Sequence, residues 1–193
     1  NKKKAGSFNI RAISVSAHGA TFVTLDEKGD PALPVISYTT DPGDAFHEEF
    51  YRKFGSPEDL QQTTATPNFN LLTNVAKGIW FARLHFGREF NKVRHILNLP
   101  QYFTYRLTGR ICADPTYTGC HTYLWDFKKN NWSDVARGMG LLPLLPNEIL
   151  KPWEVADRLT PDIARRTGLG EDTLVTAGIH DSNASLLPHL ITA

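Results

Sequence analysis

Residues 174–187 read LVTAGIHDSNASLL: an apolar stretch, a short polar loop and a second apolar stretch. The first stretch, with its core at residues 173–177, is typical of a buried strand, and the second is typical of a helix. In open α/β sheets, ligands bind beyond the carboxyl ends of strands and near helix N-termini. We therefore take the polar residues of this junction as candidates for a binding or catalytic site: His180, Asp181 and Asn183.

Two roles are open for Asp181 on sequence grounds. Its carboxylate can accept a proton from a substrate hydroxyl, which is the work of a general base. An aspartate at the start of a helix can equally serve as a cap for the first turn. A third use of the same segment is a hydrolase in which His180 and Asp181 act together.

A second candidate position follows the strand predicted at residues 12–16, where Ile13 and Val15 share one face. His18 and Gly19 come directly after it. The imidazole can donate a hydrogen bond to a ligand or satisfy a neighbour within the fold. The glycine allows close backbone approach, or it marks a bulge.

Strands and helices recur along the rest of the chain, which indicates an α/β or α+β domain with helices covering a sheet. Further strands are predicted at residues 21–25, 32–38, 95–99, 110–113, 122–127 and 173–177, the first two forming a hairpin. Helices are predicted from Asp44 to Gly55, after Ser56, from about Leu72 to Gly87, from Pro100 to Gly109, after Ser133 and after Thr160.

Composition excludes several classes of protein. The chain has 193 residues, of which 41% are hydrophobic, so it is not disordered. Its net charge of +1 lacks the cationic excess that nucleic-acid binding needs. It has no apolar run of about 18 residues, so no membrane span is predicted. The glycine-rich phosphate loops and the nucleophile elbow of several enzyme classes are also missing.

The two cysteines, Cys112 and Cys120, are eight positions apart and form no CxxC pair. Since no second short-spaced ligand pair is present, the spacing predicts reduced thiols in a cytoplasmic protein and no metal site. The chain begins at Asn1 and ends at Ala193 after an apolar run, so we expect a piece of a longer protein.

Six segments in order carry a resemblance to a known family. They are SAHGATFVTLDEKGDPALPVISY at 16–38, KGIW at 77–80, LPQYFTYRLTG at 99–109, residues 114–122, WSD at 132–134 and AGIHDSNAS at 177–185. Together they resemble the amino-terminal domain of the FGGY family of carbohydrate kinases, over residues 13–190. The pair His180–Asp181 is more similar to rhamnulose and fuculose kinases than to xylulose kinases.

The resemblance implies a ribonuclease-H-like, actin-like ATPase fold, an α/β domain whose mixed sheet is covered by helices and which here lacks its first strands. Residues 1–193 would be part of the amino-terminal domain, without the carboxy-terminal nucleotide-binding domain. The implied reaction transfers the γ-phosphate of ATP to a sugar hydroxyl, with ATP and Mg²⁺ bound mainly by parts outside this chain. The sugar and ATP are then the partners, and a homodimer is a candidate assembly.

The resemblance also assigns site residues. Asp181 is similar to the family's catalytic base, and His18 with Gly19 to its sugar-contacting step. Trp80 looks like an aromatic that lines the sugar site, although a tryptophan on a helix is first of all a packing residue. His180 and Asn183 are further candidates for substrate binding. A non-catalytic sugar-sensing domain on the same fold is the alternative function.

Overall fold

The computed structural model of the chain describes residues 9–191. Its α-helices are α1 Asp44–Phe54, α2 Pro57–Thr64, α3 Val75–Phe86, α4 Leu99–Thr108, α5 Pro115–Thr118, α6 Asp134–Gly138, α7 Pro161–Thr167 and α8 Asp181–Ile191. Its strands are β1 Ala12–Ile13, β2 Ser16–Ala17, β3 Phe22–Leu25, β4 His95–Asn98, β5 Trp125–Asp126, β6 Asn131–Trp132, β7 Val155–Arg158, β8 Leu174–Thr176 and β9 Ile179–His180. The mixed α/β class is confirmed, and within the described range no helix is long and apolar enough to cross a membrane.

The amino-terminal segment and the segment before α8 run side by side in the same direction. β1 pairs with β8 in parallel, with Ala12 opposite Leu174, and β2 pairs with β9 in parallel, with Ala17 opposite His180. β7 lies antiparallel on the other edge of β8. The remaining strands form two antiparallel pairs, β3 with β4 and β5 with β6. Because β2 and β9 are parallel, the residues that follow them leave the sheet at the same edge.

The main core is aromatic and lies between α1 and α3. Phe46, Phe50 and Phe54 recur every four residues on one face of α1, as the sequence predicts. Their rings contact Trp80 of α3, with centroid distances of 4.6, 5.6 and 5.9 Å respectively. Phe50 is fully buried, so this face is a packed helix–helix interface rather than a surface stripe.

Three predicted helix starts are confirmed by their capping hydrogen bonds. Ser56 accepts from the backbone N–H of Asp59, Ser133 from that of Ala136, and Thr160 caps α7 in the same way. Proline occupies the first turn of α2 and α7, where its missing N–H costs nothing.

Some predicted elements are wrong. Residues 32–38 form no strand, and only an isolated bridge between Leu25 and Pro31 remains of the expected hairpin, because Pro31 and Pro34 have no N–H to donate. Residues 110–113 form no strand but a single bridge from Ala113 to Ile149.

Two further predictions are corrected in detail. The expected strand at residues 122–127 shortens to β5, because Tyr123 has a left-handed backbone with φ of 61°. Asp44 is the first residue of α1 rather than its cap, which is Gly43.

Candidate active site

Asp181 lies where β9 ends and α8 begins, as the sequence predicts. Its side chain is 53% exposed. Oδ1 accepts the backbone N–H of Ser182 at 2.6 Å, whereas no hydrogen bond from the described residues reaches Oδ2. A carboxylate in the first turn of a helix is also favoured by the positive end of the helix dipole. Asp181 thus offers one free oxygen to a ligand at this edge.

His180 lies behind Asp181 and only 2% of its surface is exposed. Its Nε2 is 3.7 Å from Oδ1 of Asp181, and its backbone N–H donates to Oγ1 of Thr116 at 3.1 Å. Burial lowers the pKa of His180, an effect that the Asp181 carboxylate and the Asn183 side chain partly oppose. The ring is therefore a neutral packing group beside the carboxylate. The hydrolase alternative needs an accessible imidazole here, and this burial disfavours it.

Gly19 and His18 leave β2 at the same edge. A Cβ atom added to Gly19 would lie 2.4 Å from Nε2 of His180, so the glycine backbone touches the buried imidazole. His18 is exposed, and its Nε2 lies 3.0 Å from Oγ1 of Thr21. Its ring also stands 5.8 Å from that of Tyr38. The parallel pairing therefore brings together the two candidate positions that the sequence places 162 residues apart, Gly19 and Asp181.

Replacing Gly19 by alanine should destabilise the fold by about 1–3 kcal/mol, because the methyl group overlaps the buried His180 ring. The backbone itself accepts alanine, since Gly19 has no left-handed φ. Gly138→Ala is the matched control: its added Cβ would meet only Phe54, at 3.7 Å. Urea unfolding of both variants measures the effect. Equal stability of Gly19→Ala and Gly138→Ala would contradict the close approach.

A buried hydrogen-bond network holds the strand that leads to Asp181. The Gln101 side chain of α4 donates to Oδ1 of Asp114 and to the backbone oxygen of Ala177, both at 3.0 Å. Thr104, one turn later, donates to the same Ala177 oxygen at 3.2 Å. Gln101 and Thr104 belong to the segment LPQYFTYRLTG, and they hold the Ala177 carbonyl four residues before Asp181.

Asp114 extends this network to the next loop. It is fully buried and caps α5, accepting the backbone N–H of Thr116 at 2.7 Å. Burial raises the pKa of Asp114 to about 6, although its hydrogen bonds to Thr116, Tyr117 and Gln101 act in the opposite direction. Since the Thr116 hydroxyl in turn accepts from the His180 backbone, the carboxyl supports the candidate site from behind.

Asp114 should make the fold less stable as pH rises from about 4 to about 6. A folded-state pKa raised from 3.8 to about 6 favours the protonated form in the folded chain. The stabilisation that Asp114 contributes is complete below its unfolded-state pKa and is lost as the pH rises through its folded-state pKa. The loss amounts to about 3 kcal/mol at most. Asp114→Asn should remove this part of the pH dependence, as urea unfolding from pH 4 to pH 7 would measure. An unchanged slope would contradict the assignment.

Trp80 and Asn183 complete the set of sequence candidates. Asn183 is half-buried and stands next to His180 on the first turn of α8. Trp80 is 5% exposed, and its ring contacts involve phenylalanines of α1 and the Lys53 ammonium, not the residues at the strand ends. The structure thus gathers His18, Gly19, His180, Asp181 and Asn183, whereas its contacts place Trp80 in the core.

Comparisons with known proteins agree on the family and the fold. The family model described as the N-terminal domain of the FGGY family of carbohydrate kinases matches residues 2–188. A rhamnulokinase from Halalkalibacterium halodurans is 24% identical over 187 residues, which are 96% of this chain and 39% of that protein. The chain thus spans about two fifths of the length of this relative.

Solved structures give the same result. A carbohydrate kinase from Novosphingobium aromaticivorans is 31% identical, with a TM-score of 0.81 over 91% of this chain and 36% of that one. A xylulose kinase from Rhodospirillum rubrum is 21% identical, with a TM-score of 0.83 over 97% of this chain and 38% of that one. The second likeness shows the fold alone. The actin-like ATPase fold expected from the resemblance is confirmed.

Proposed function

Because the chain belongs to the FGGY family of carbohydrate kinases, we propose that it supplies the sugar-binding and catalytic-base part of an ATP-dependent sugar kinase. The observation that carries the proposal is the exposed carboxylate of Asp181, with Oδ2 unpaired within the described residues, at the edge where two parallel strands end. A sugar kinase needs one group there that orients the attacking hydroxyl.

In the proposed reaction, a sugar hydroxyl donates a hydrogen bond to Oδ2 of Asp181 and passes its proton to the carboxylate as its oxygen attacks the γ-phosphate of ATP. The bond from the γ-phosphorus to the β–γ bridging oxygen breaks, and ADP leaves. His18 is exposed on the neighbouring strand end and keeps Nδ1 available for a second sugar hydroxyl. Gly19 provides room, and Asn183 offers an amide beside Asp181. His180 holds the carboxylate from behind, through the 3.7 Å contact, and does not touch the sugar.

The described residues do not fit the nucleotide's metal ion. Mg²⁺ prefers hard oxygen ligands in octahedral geometry. Within residues 9–191, the cluster of three metal-capable side chains consists of a thiol and two imidazoles. We therefore assign no step to Mg²⁺ within this chain. ATP is the second substrate, and in this proposal a nucleotide-binding domain presents it to the site.

The test is a coupled assay of ADP formation over a panel of rhamnulose, xylulose, gluconate and glycerol. A protein that carries this chain together with a nucleotide-binding domain should turn over at least one of them, and the 193-residue chain alone should turn over none. Sugar-dependent stabilisation without turnover in the two-domain protein would instead support the sugar-sensing alternative. Turnover by the chain alone would contradict the two-part site.

His18 should contribute to binding rather than to the chemical step, because it directly follows β2, the strand that pairs with the one ending before Asp181. In the two-domain protein, His18→Ala should raise KM for the sugar by about tenfold, as expected for a lost hydrogen bond of about 1.5 kcal/mol, with kcat little changed. His85→Ala, at an exposed histidine on α3, is the control. An unaltered KM together with a lower Tm would mean that His18 only supports Thr21.

A further inference from the structure

Three side chains that bind soft metals meet directly beside the candidate active site. Ligand atoms of Cys120, His121 and His180 all lie within 4.8 Å of one another. The first two residues follow α5, and the third ends β9, so the cluster joins two separate segments. The spacing of the cysteines predicts no metal site. That rule considers only ligand pairs close in sequence, and these three residues meet only in the folded chain.

The backbone fixes His121 in place. Its φ of 58° is in the left-handed region, which is uncommon for a residue with a side chain. The carbonyl oxygen of His121 accepts the backbone N–H of Val75, and that of Thr122 accepts the N–H of Ala76, both at 3.0 Å. These bonds to the start of α3 hold the loop so that the His121 ring stands 5.7 Å from the ring of His180.

Each imidazole has a nitrogen that makes no hydrogen bond to the described residues. These atoms are Nδ1 of His121 and Nδ1 of His180, and both are buried. His180 itself is only 2% exposed, so water does not readily satisfy it. Two buried nitrogens that lack hydrogen-bond partners therefore lie beside a thiol, and this set of donor atoms suits a metal ion.

We propose that Cys120, His121 and His180 bind a thiophilic divalent transition metal, with Zn²⁺ as the representative ion. The three side chains supply three ligands of a tetrahedral ion, and the fourth position is open to a water molecule. Tetrahedral Zn²⁺ has ligand distances of about 2.0–2.3 Å, which places the ligand atoms roughly 3.3–3.8 Å apart. The cluster must therefore contract by about 1 Å. On binding, the Cys120 thiol releases its proton to solvent and binds as thiolate.

The bound metal inhibits the kinase. The ion ties the loop after α5 to His180, the residue directly before Asp181. Its positive charge beside the carboxylate also lowers the basicity of Asp181, which opposes proton transfer from the sugar hydroxyl. This consequence rests on the proposed function, whereas the metal site itself does not. Spectroscopy detects metal binding directly, so it can show that the metal site is wrong even if the proposed kinase function is right, and the reverse.

The test is titration of the 193-residue chain with Co²⁺, which substitutes for Zn²⁺ and reports its ligands by absorption. The chain should bind one equivalent, with visible ligand-field bands of tetrahedral Co²⁺ and a near-ultraviolet thiolate charge-transfer band. Zn²⁺ should abolish both. Cys120→Ser should remove the charge-transfer band. His121→Gln should weaken Co²⁺ binding by at least about tenfold, because losing even an outer-sphere partner costs that much.

Two matched variants serve as controls. Cys112→Ala removes the other thiol, and His85→Gln removes an exposed histidine; both should keep the wild-type spectrum. Should Cys120→Ser fail to fold by circular dichroism, His121→Gln decides on its own. A spectrum of free aqueous Co²⁺ with the wild-type chain would overturn the proposal. So would a thiolate band that survives in Cys120→Ser or disappears in Cys112→Ala.

Discussion

Asp181→Asn is expected to lower kcat of the two-domain kinase by about 10²- to 10⁴-fold, with little change in sugar affinity or Tm. The amide oxygen of asparagine can still accept the N–H of Ser182, so the local structure at the start of α8 is kept. Asparagine cannot take the proton of the attacking hydroxyl. Steady-state kinetics and thermal unfolding of the same preparation measure both quantities.

Asp162→Asn is the matched control for this prediction. Asp162 also lies in the first turn of a helix, α7, and its side chain is 54% exposed against 53% for Asp181. It differs in pairing with Arg165 and Arg166, so its replacement should cost a few tenths of a kcal/mol and leave kcat unchanged. If Asp181→Asn behaved in the same way, Asp181 would be a helix-start residue and not the base.

Local patterns predicted the helices well. The caps Ser56, Ser133 and Thr160 are short-range signals, since each side chain bonds an N–H three residues along the chain. The apolar face of α1 follows from the four-residue spacing of its phenylalanines. The strands were predicted less well because their pairing partners are distant. The segment at 32–38 has strand-like residues, yet it pairs with β3 only at the bridge from Leu25 to Pro31, because Pro31 and Pro34 have no N–H to donate.

The site was only partly predictable, because it also depends on the pairing of strands that are distant in the sequence. The sequence placed His18 and Asp181 at the ends of strands, but only the parallel pairing of β2 with β9 brings them to one edge. The supporting network from Gln101 to Asp114 had no signal in the sequence other than its membership of the family-like segments. The burial of His180 was also invisible, because a histidine beside an aspartate looks the same in a sequence whether it is exposed or covered.

Long-range contact also explains the cluster of Cys120, His121 and His180. Sequence rules for metal sites rely on ligand pairs at short spacing, such as CxxC, which a single turn or helix can hold. Here two ligands are adjacent and the third is 59 positions away. His121 has a left-handed backbone, hydrogen bonds join its loop to the start of α3, and its ring stands 5.7 Å from that of His180. Such a cluster can be found only from the folded chain.

Trp80→Ala should reduce the free energy of unfolding by about 3–5 kcal/mol, the cost of truncating a large buried aromatic. Three phenylalanines of α1 surround the indole, so its removal leaves a cavity between α1 and α3. The resemblance to sugar kinases implies another role, in which Trp80 lines the sugar site. The two roles predict different results: a packing residue changes stability, whereas a sugar-lining residue changes KM.

Two further variants make the choice between these roles measurable. Trp153→Ala, at a tryptophan that is 68% exposed, should change the free energy of unfolding by less than about 0.5 kcal/mol. Trp80→Phe keeps an aromatic ring in the core and should fold, so its KM for the sugar can be compared with that of the wild type. We expect an unchanged KM with a lowered Tm, because the indole faces Phe46, Phe50 and Phe54 rather than the edge that carries Asp181. A raised KM at unchanged Tm would show that Trp80 lines the sugar site and that the packing role is wrong.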